Sequence, residues 1–165
     1  MRTSSVIAAI LIGTITIGGC GDEATTEHAK APASGEPAYT VKWLEVSSPL
    51  SPAQWLVSKR DNTLKPADDA DVITVADRLA AANERYREGE RMIANRASQL
   101  SDMLAPLGIV ESPIEILDDL TSIAGEVNQT EGFGAISQHY FNLRVARVER
   151  QDALAALKTH YGPRR

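Results

Sequence analysis

Large apolar side chains recur at seven-residue steps through the middle of the chain: Val72, Leu79, Tyr86, Ile93, Leu100 and Leu107. That spacing lines them along one face of a helix. Asp68, Asp69 and Asp71 are well placed against an N-terminal dipole, and Pro106 is a stop. Together they predict one long helix from about Asp69 to Ala105. The companion positions Ala76, Asn83, Glu90, Ala97 and Leu104 are half apolar, short of the two filled seams of a coiled coil. Burial is expected to be weakest between Asn83 and Glu90. Gly89 there costs a helix about 1 kcal/mol relative to Ala, so a bend or looser packing is expected.

The flanking pattern predicts further helices. Ser51 before Pro52, with Gln54 at the third position and Leu50 and Trp55 at staple positions, starts a short helix to about Lys59 that Asp61-Asn62 ends. Ser112, Pro113 and Glu115 mark another start, with Ile114, Ile116, Leu117, Leu120, Ile123 and Val127 as its apolar stripe. Asn128 to Gly134 reads as a loop. Ile136, Tyr140 and Leu143 give a further helix, whose phase is lost from Val145 to Glu149 and resumes with Leu154, Leu157 and Tyr161. Tyr39 to Val46 alternates partly, as a strand would, but has no partner strand, so a strap across the helices is expected. Trp43 and Trp55 are expected to pack on the main helix rather than to form an exposed platform. The fold class is all-α: a small irregular helical bundle with one long helix, behind a flexible N-terminal tether.

The first twenty residues follow a different pattern. Met1-Arg2 is a positive start, and Val6 to Ile17 is apolar except at Gly13, Thr14 and Thr16. The run is shorter than the roughly 20 apolar residues that span a bilayer. It ends in small residues, as a secretory signal does. Ile17-Gly18-Gly19-Cys20 resembles a lipobox, with Ile17 where Leu is commonest. The resemblance implies signal cleavage between Gly19 and Cys20 and lipid on the Cys20 sulfur, so the first partner is membrane lipid through acylated Cys20. Gly21 rather than Asp after the cysteine resembles the sorting signal of outer-membrane lipoproteins. The expected place is the outer membrane facing the periplasm, with the inner membrane as the alternative.

Residues 21–38 carry no large apolar side chain and read as a linker. Eighteen residues reach about 23 Å on average and about 60 Å when stretched. The organisation is thus 1–19 signal, 20–38 lipidated cysteine and linker, and 39–165 helical domain.

Composition narrows the function. The chain has 165 residues, 43% hydrophobic, 24% charged and 5% aromatic, which suits one helical domain. Cleavage removes one base, Arg2, leaving 16 basic against 22 acidic residues. That balance disfavours nucleic acid as a partner. Charge is segregated: residues 111–131 hold Glu111, Glu115, Asp118, Asp119, Glu126 and Glu131 without a base, while Arg144, Arg147, Arg150, Lys158, Arg164 and Arg165 lie beyond. The acidic helix lying beside the basic ones is the favoured reading, and a basic patch for an anionic partner is the alternative. The run Glu84 to Arg91 reads as a solvated face or a docking face.

No cofactor is expected. His28 falls in the linker, and His139 and His160 stand apart in sequence among basic residues, so no zinc set is legible. Asp68-Asp69-Ala70-Asp71 lacks the glycine and glutamate of a calcium loop and reads as a helix start. Gly132-Phe133-Gly134 lacks the third glycine of a phosphate loop and reads as a turn. Glu131 to Gln138 superficially resembles peptidoglycan-cleaving transglycosylases, but the glutamate is too close to the glycine-led motif. The expectation is a non-enzymatic interaction module of the cell envelope contacting an unknown envelope protein, with Arg85, Arg87, Arg144 and Arg147 as candidate contact residues. In size and layout the chain is similar to small lipoproteins of conjugative and type IV secretion clusters. An envelope enzyme acting on peptidoglycan is the alternative, and a ligand pocket near Trp43, Trp55 and Tyr86 is a third reading.

Overall fold

A computed structural model of the chain describes residues 37–124 and 132–162. Gly19, Cys20, nearly all of the linker, Glu131, Arg164 and Arg165 lie outside the described residues. Six α-helices form: α1 (Pro52–Asp61), α2 (Ala70–Arg85), α3 (Glu90–Leu104), α4 (Pro113–Ile123), α5 (Phe133–Val145) and α6 (Arg150–Tyr161). There is no strand among the described residues, and the expected all-α class is the observed one. No helix among them is long and apolar enough to cross a membrane. The central element is α3, which packs on α1, α2, α4 and α5, while α6 lies on α4 and α5.

The helix starts follow from local chemistry. Ser51 Oγ accepts from the Gln54 amide at 3.1 Å, while the Gln54 side chain donates to the Lys65 carbonyl at 2.8 Å instead of closing a capping box. Ser112 and Glu115 do close one: the Glu115 amide donates to Ser112 Oγ at 3.2 Å, and the Ser112 amide to Glu115 Oε2 at 2.8 Å. That backbone bond, with the Ser112 hydroxyl, holds the Glu115 carboxyl below the usual range. Asp69 caps α2 by accepting from the Asp71 amide at 2.9 Å. A 3-10 turn (Ala105–Leu107) containing Pro106 ends α3, and Gly108 follows at φ 76°, a left-handed conformation that favours glycine.

The long helix expected from Asp69 to Ala105 is two helices. Tyr86 turns extended (φ −114°, ψ 161°), and Gly89 is extended ahead of α3 (φ −70°, ψ 160°). The apolar rhythm survives the break, since Val72, Leu79, Tyr86, Ile93 and Leu100 are all buried. Tyr86, placed by the pattern at the weakest point, is a core residue, with its ring 5.2 Å from that of Phe133 in an edge-on contact. The C-terminal phase loss is also a break, at 146–149, where Arg147 is left-handed (φ 64°).

Residues 39–46 form the expected strap, without β structure. Leu44 is buried, its amide donates to Asn95 Oδ1 at 2.7 Å, and its carbonyl accepts from Asn95 Nδ2 at 3.1 Å and from Arg91 at 3.3 Å. The buried amide of Asn95 thus satisfies both backbone groups of Leu44, as a neighbouring strand would.

Candidate functional site

The corner between α2 and α3 is where charge, helix ends and the core meet. Arg85 Nη1 donates to the Thr121 carbonyl at 2.8 Å, and the buried Tyr86 hydroxyl donates to the Leu120 carbonyl. Both acceptors are in the last turn of α4, where carbonyls lack helical partners. Three residues on, Glu88 accepts from the Phe133 and Gly134 amides at 2.6 and 3.1 Å, at the first turn of α5. A cation therefore sits at one helix's C-terminus and a carboxylate at another's N-terminus, each matched to the local dipole. A Cβ on Gly132 would stand 2.7 Å from Glu88 Oε1, so the glycine leaves the carboxylate room to approach. The corner thus brings Arg85 and Tyr86 to the end of α4 and Glu88 to the start of α5.

The four arginines named from sequence divide two and two. Arg85 is half-buried and engaged at α4. Arg144 has a side chain 11% exposed and pairs with Glu111, itself 5% exposed, at 3.2 Å. Arg144 also donates to the Val148 carbonyl at 2.6 Å, across the turn into α6. The Tyr140 hydroxyl donates to Glu111 at 2.9 Å, and burial, then that bond, pushes the phenol upward, so it stays a donor. Arg87 and Arg147 are exposed, and among the described residues neither side chain makes an ion pair. The structure does not bring the four together as one patch. The segregated charges pair within the chain, Arg150 with Asp119 at 2.6 Å near the surface, while Asp118 pairs with Arg78 of α2 at 2.6 Å.

Other sequence candidates resolve into structure. Asp69 and Asp71 face Lys65 and Arg60, and the same two bases hold Asp61 well below the usual carboxylate range, Arg60 contributing most. Trp55 is fully buried with Lys59 Nζ 5.3 Å from its ring centre, and Trp43 is half-buried beneath Arg96. Trp55 and Tyr86 are core, in keeping with the packing expected of the tryptophan and against the third reading of a pocket lined by them. A small depression lies instead between α3 and α5, lined by Arg96, Gln99, Met103, Ser137, Gln138 and Phe141. The stretch after Glu131 is the first turns of α5 rather than a loop to Gly134. No group of three or more His, Cys, Asp and Glu side chains converges among the described residues.

Sequence reasoning missed Glu88 and Asn95, which act on partners 45 to 51 residues away, and it named Glu111 only as one of an acidic segment set beside the basic helices. A glutamate ahead of a glycine, or an asparagine on an apolar face, was the sole local sign.

Comparison with known proteins puts this geometry in a family context. Residues 53–162, α1 through α6, match the family model described as MoxZ. The chain is also 31% identical over 144 residues to Protein MoxZ of Paracoccus denitrificans, covering 86% of this chain and 84% of that one. No solved structure matches.

Proposed function

The chain belongs to the MoxZ family, and from that premise we propose that it is a lipid-anchored, non-enzymatic interaction module of the cell envelope. The observation that carries this reading is the order of parts along the chain. A positive start, an apolar run and Gly18-Gly19-Cys20 precede a polar linker and then the helical domain. Acyl chains on Cys20 contribute about 0.8 kcal/mol per buried CH₂, and two or more of them make a stable anchor. The domain then works within the linker's reach of the membrane surface.

The contact surface is supported by what is left over after folding. Arg85 and Arg144 serve the interior, so the arginines that remain for a partner are Arg87, on the corner, and Arg147, on the α5–α6 turn. The partner is an envelope protein with acidic side chains, which the accessory of a secretion apparatus would meet.

Two arms test the reading in the source cells. Labelled palmitate enters the wild-type product, and Cys20→Ser moves it from the membrane to a soluble fraction. A photo-crosslinker beside Arg87 or Arg147 captures a discrete partner, and Arg87→Glu with Arg147→Glu removes that product with helical circular dichroism unchanged. A Cys20→Ser protein that stays membrane-bound overturns the anchor, and crosslinks indifferent to charge reversal overturn the surface. Peptidoglycan clearing by the purified chain, lost in Glu131→Gln, would establish the enzyme alternative instead.

A further inference from the structure

Side chains 21 residues apart in sequence meet where α5 packs on α6. His139, on α5, lies beside His160 and Tyr161 in the last turn of α6. The ring centres are 5.7 Å apart for His139 and His160, 5.7 Å for His139 and Tyr161, and 4.5 Å for His160 and Tyr161. His139 Nδ1 stands 3.1 Å from the Tyr161 hydroxyl oxygen. His160 is exposed, and His139 and Tyr161 are half-buried, so the cluster sits at the surface with one side open. Apart from that contact, neither imidazole has a hydrogen bond or an ion pair to any described residue.

From this juxtaposition we infer a binding site for a divalent transition-metal ion of the copper–zinc class, with His139, His160 and Tyr161 as its ligands. Metal–imidazole bonds are about 2.0–2.1 Å long, which puts the ring centres of two imidazoles on one ion roughly 5 to 6 Å apart. The observed 5.7 Å falls in that interval. Two donor atoms on one ion lie about 3 Å apart by the same geometry, as the His139 nitrogen and the Tyr161 oxygen do. Imidazole with an oxygen donor suits Cu(II) best among the divalent ions, and Zn(II) next. Water fills the open positions, so the ion is exchangeable. The motif escaped sequence inspection because α5 and α6 must fold back on each other before the ligands meet.

The test is titration of the full-length chain with Cu(II) at neutral pH, by calorimetry and electron paramagnetic resonance. One equivalent binds with splittings from nitrogen donors, and affinity falls on acidification as protons compete for the imidazoles. His139→Gln and His160→Gln each weaken binding roughly tenfold or more, as loss of a metal-site partner does. His160 is exposed, so its replacement leaves the melting temperature unchanged. Tyr161→Phe keeps the ring packing and also weakens binding. Cys20→Ser and His28→Gln, which remove the chain's one sulfhydryl and its third imidazole, leave it intact. The site is overturned if no stoichiometric ion binds, if the His139→Gln/His160→Gln protein binds as tightly as wild type, or if Cys20→Ser or His28→Gln abolishes the signal. Full affinity in Tyr161→Phe overturns the phenol as a ligand.

Discussion

Glu111 and Arg144 are a buried charge pair whose worth depends on both partners being present. Glu111 accepts from Tyr140 and Arg144 together, so truncating it strands a guanidinium and a phenol in the interior. Breaking a buried pair typically costs about 3–5 kcal/mol, whereas replacing both members by apolar groups is often near neutral. Glu111→Ala is therefore expected to lower the urea-unfolding free energy by about 3 kcal/mol, and Glu111→Leu with Arg144→Met by much less. Equal losses in the single and double variants would show that the ions are not acting as a pair. Residues of this sort were the least legible in the sequence. Ser112, Pro113 and Glu115 announce a capping box because their partners are within three positions. Glu88 and Asn95 have partners 45 and 51 positions away, and nothing beside them in the chain marks the role.

At the scale of elements, local start signals and apolar spacing were enough to place the helices and to part α5 from α6, but not to divide α2 from α3. The seven-residue rhythm from Val72 to Leu107 records which side chains face the core, and it says nothing about backbone continuity. The core side is kept through the extended residues of the corner, so a periodicity argument passes over the break. At the break Arg85, Tyr86 and Glu88 meet the ends of α4 and α5, contacts between residues 34 to 46 positions apart. Gly89 offers a direct check. It is the N-terminal cap of α3 without a side chain to accept an amide, its φ is −70°, and an added Cβ meets nothing within 4 Å. Gly89→Ser supplies a cap and stiffens the unfolded chain, so a gain of about 0.5–1 kcal/mol in chemical denaturation is expected. A loss would mean that the corner needs glycine's freedom after all.

Across the whole molecule stability is uneven. Seven residues of α3 are buried, from Ile93 to Leu104, whereas α6 buries Ala153 and Leu157 and is tied down by the Arg150–Asp119 bridge. Elements with few buried contacts open at lower cost than the whole domain. Amide exchange in α6 is expected to outrun that in α3 under native conditions. Asp119→Asn should speed α6 by roughly two- to fivefold while leaving α3 unchanged, the size of a partly exposed ion pair. Uniform protection across both helices would show that the domain opens as one unit. The charge map was legible in part at this scale: Glu111 and Asp119 do pair with Arg144 and Arg150.

The clamp of Asn95 on Leu44 also has a mechanical meaning. Residues 1–36 join the described domain just ahead of the strap, so a pull from that end loads Tyr39, whose hydroxyl donates to the Asn62 carbonyl at 3.2 Å, and then Leu44, held by Asn95 and Arg91. A load there peels the strap away before it reaches α1, and the clamp behaves as a fuse protecting the helices behind it. Under force spectroscopy the first rupture should be this small release, and Asn95→Ala should shift it to lower force while leaving the main unfolding event in place.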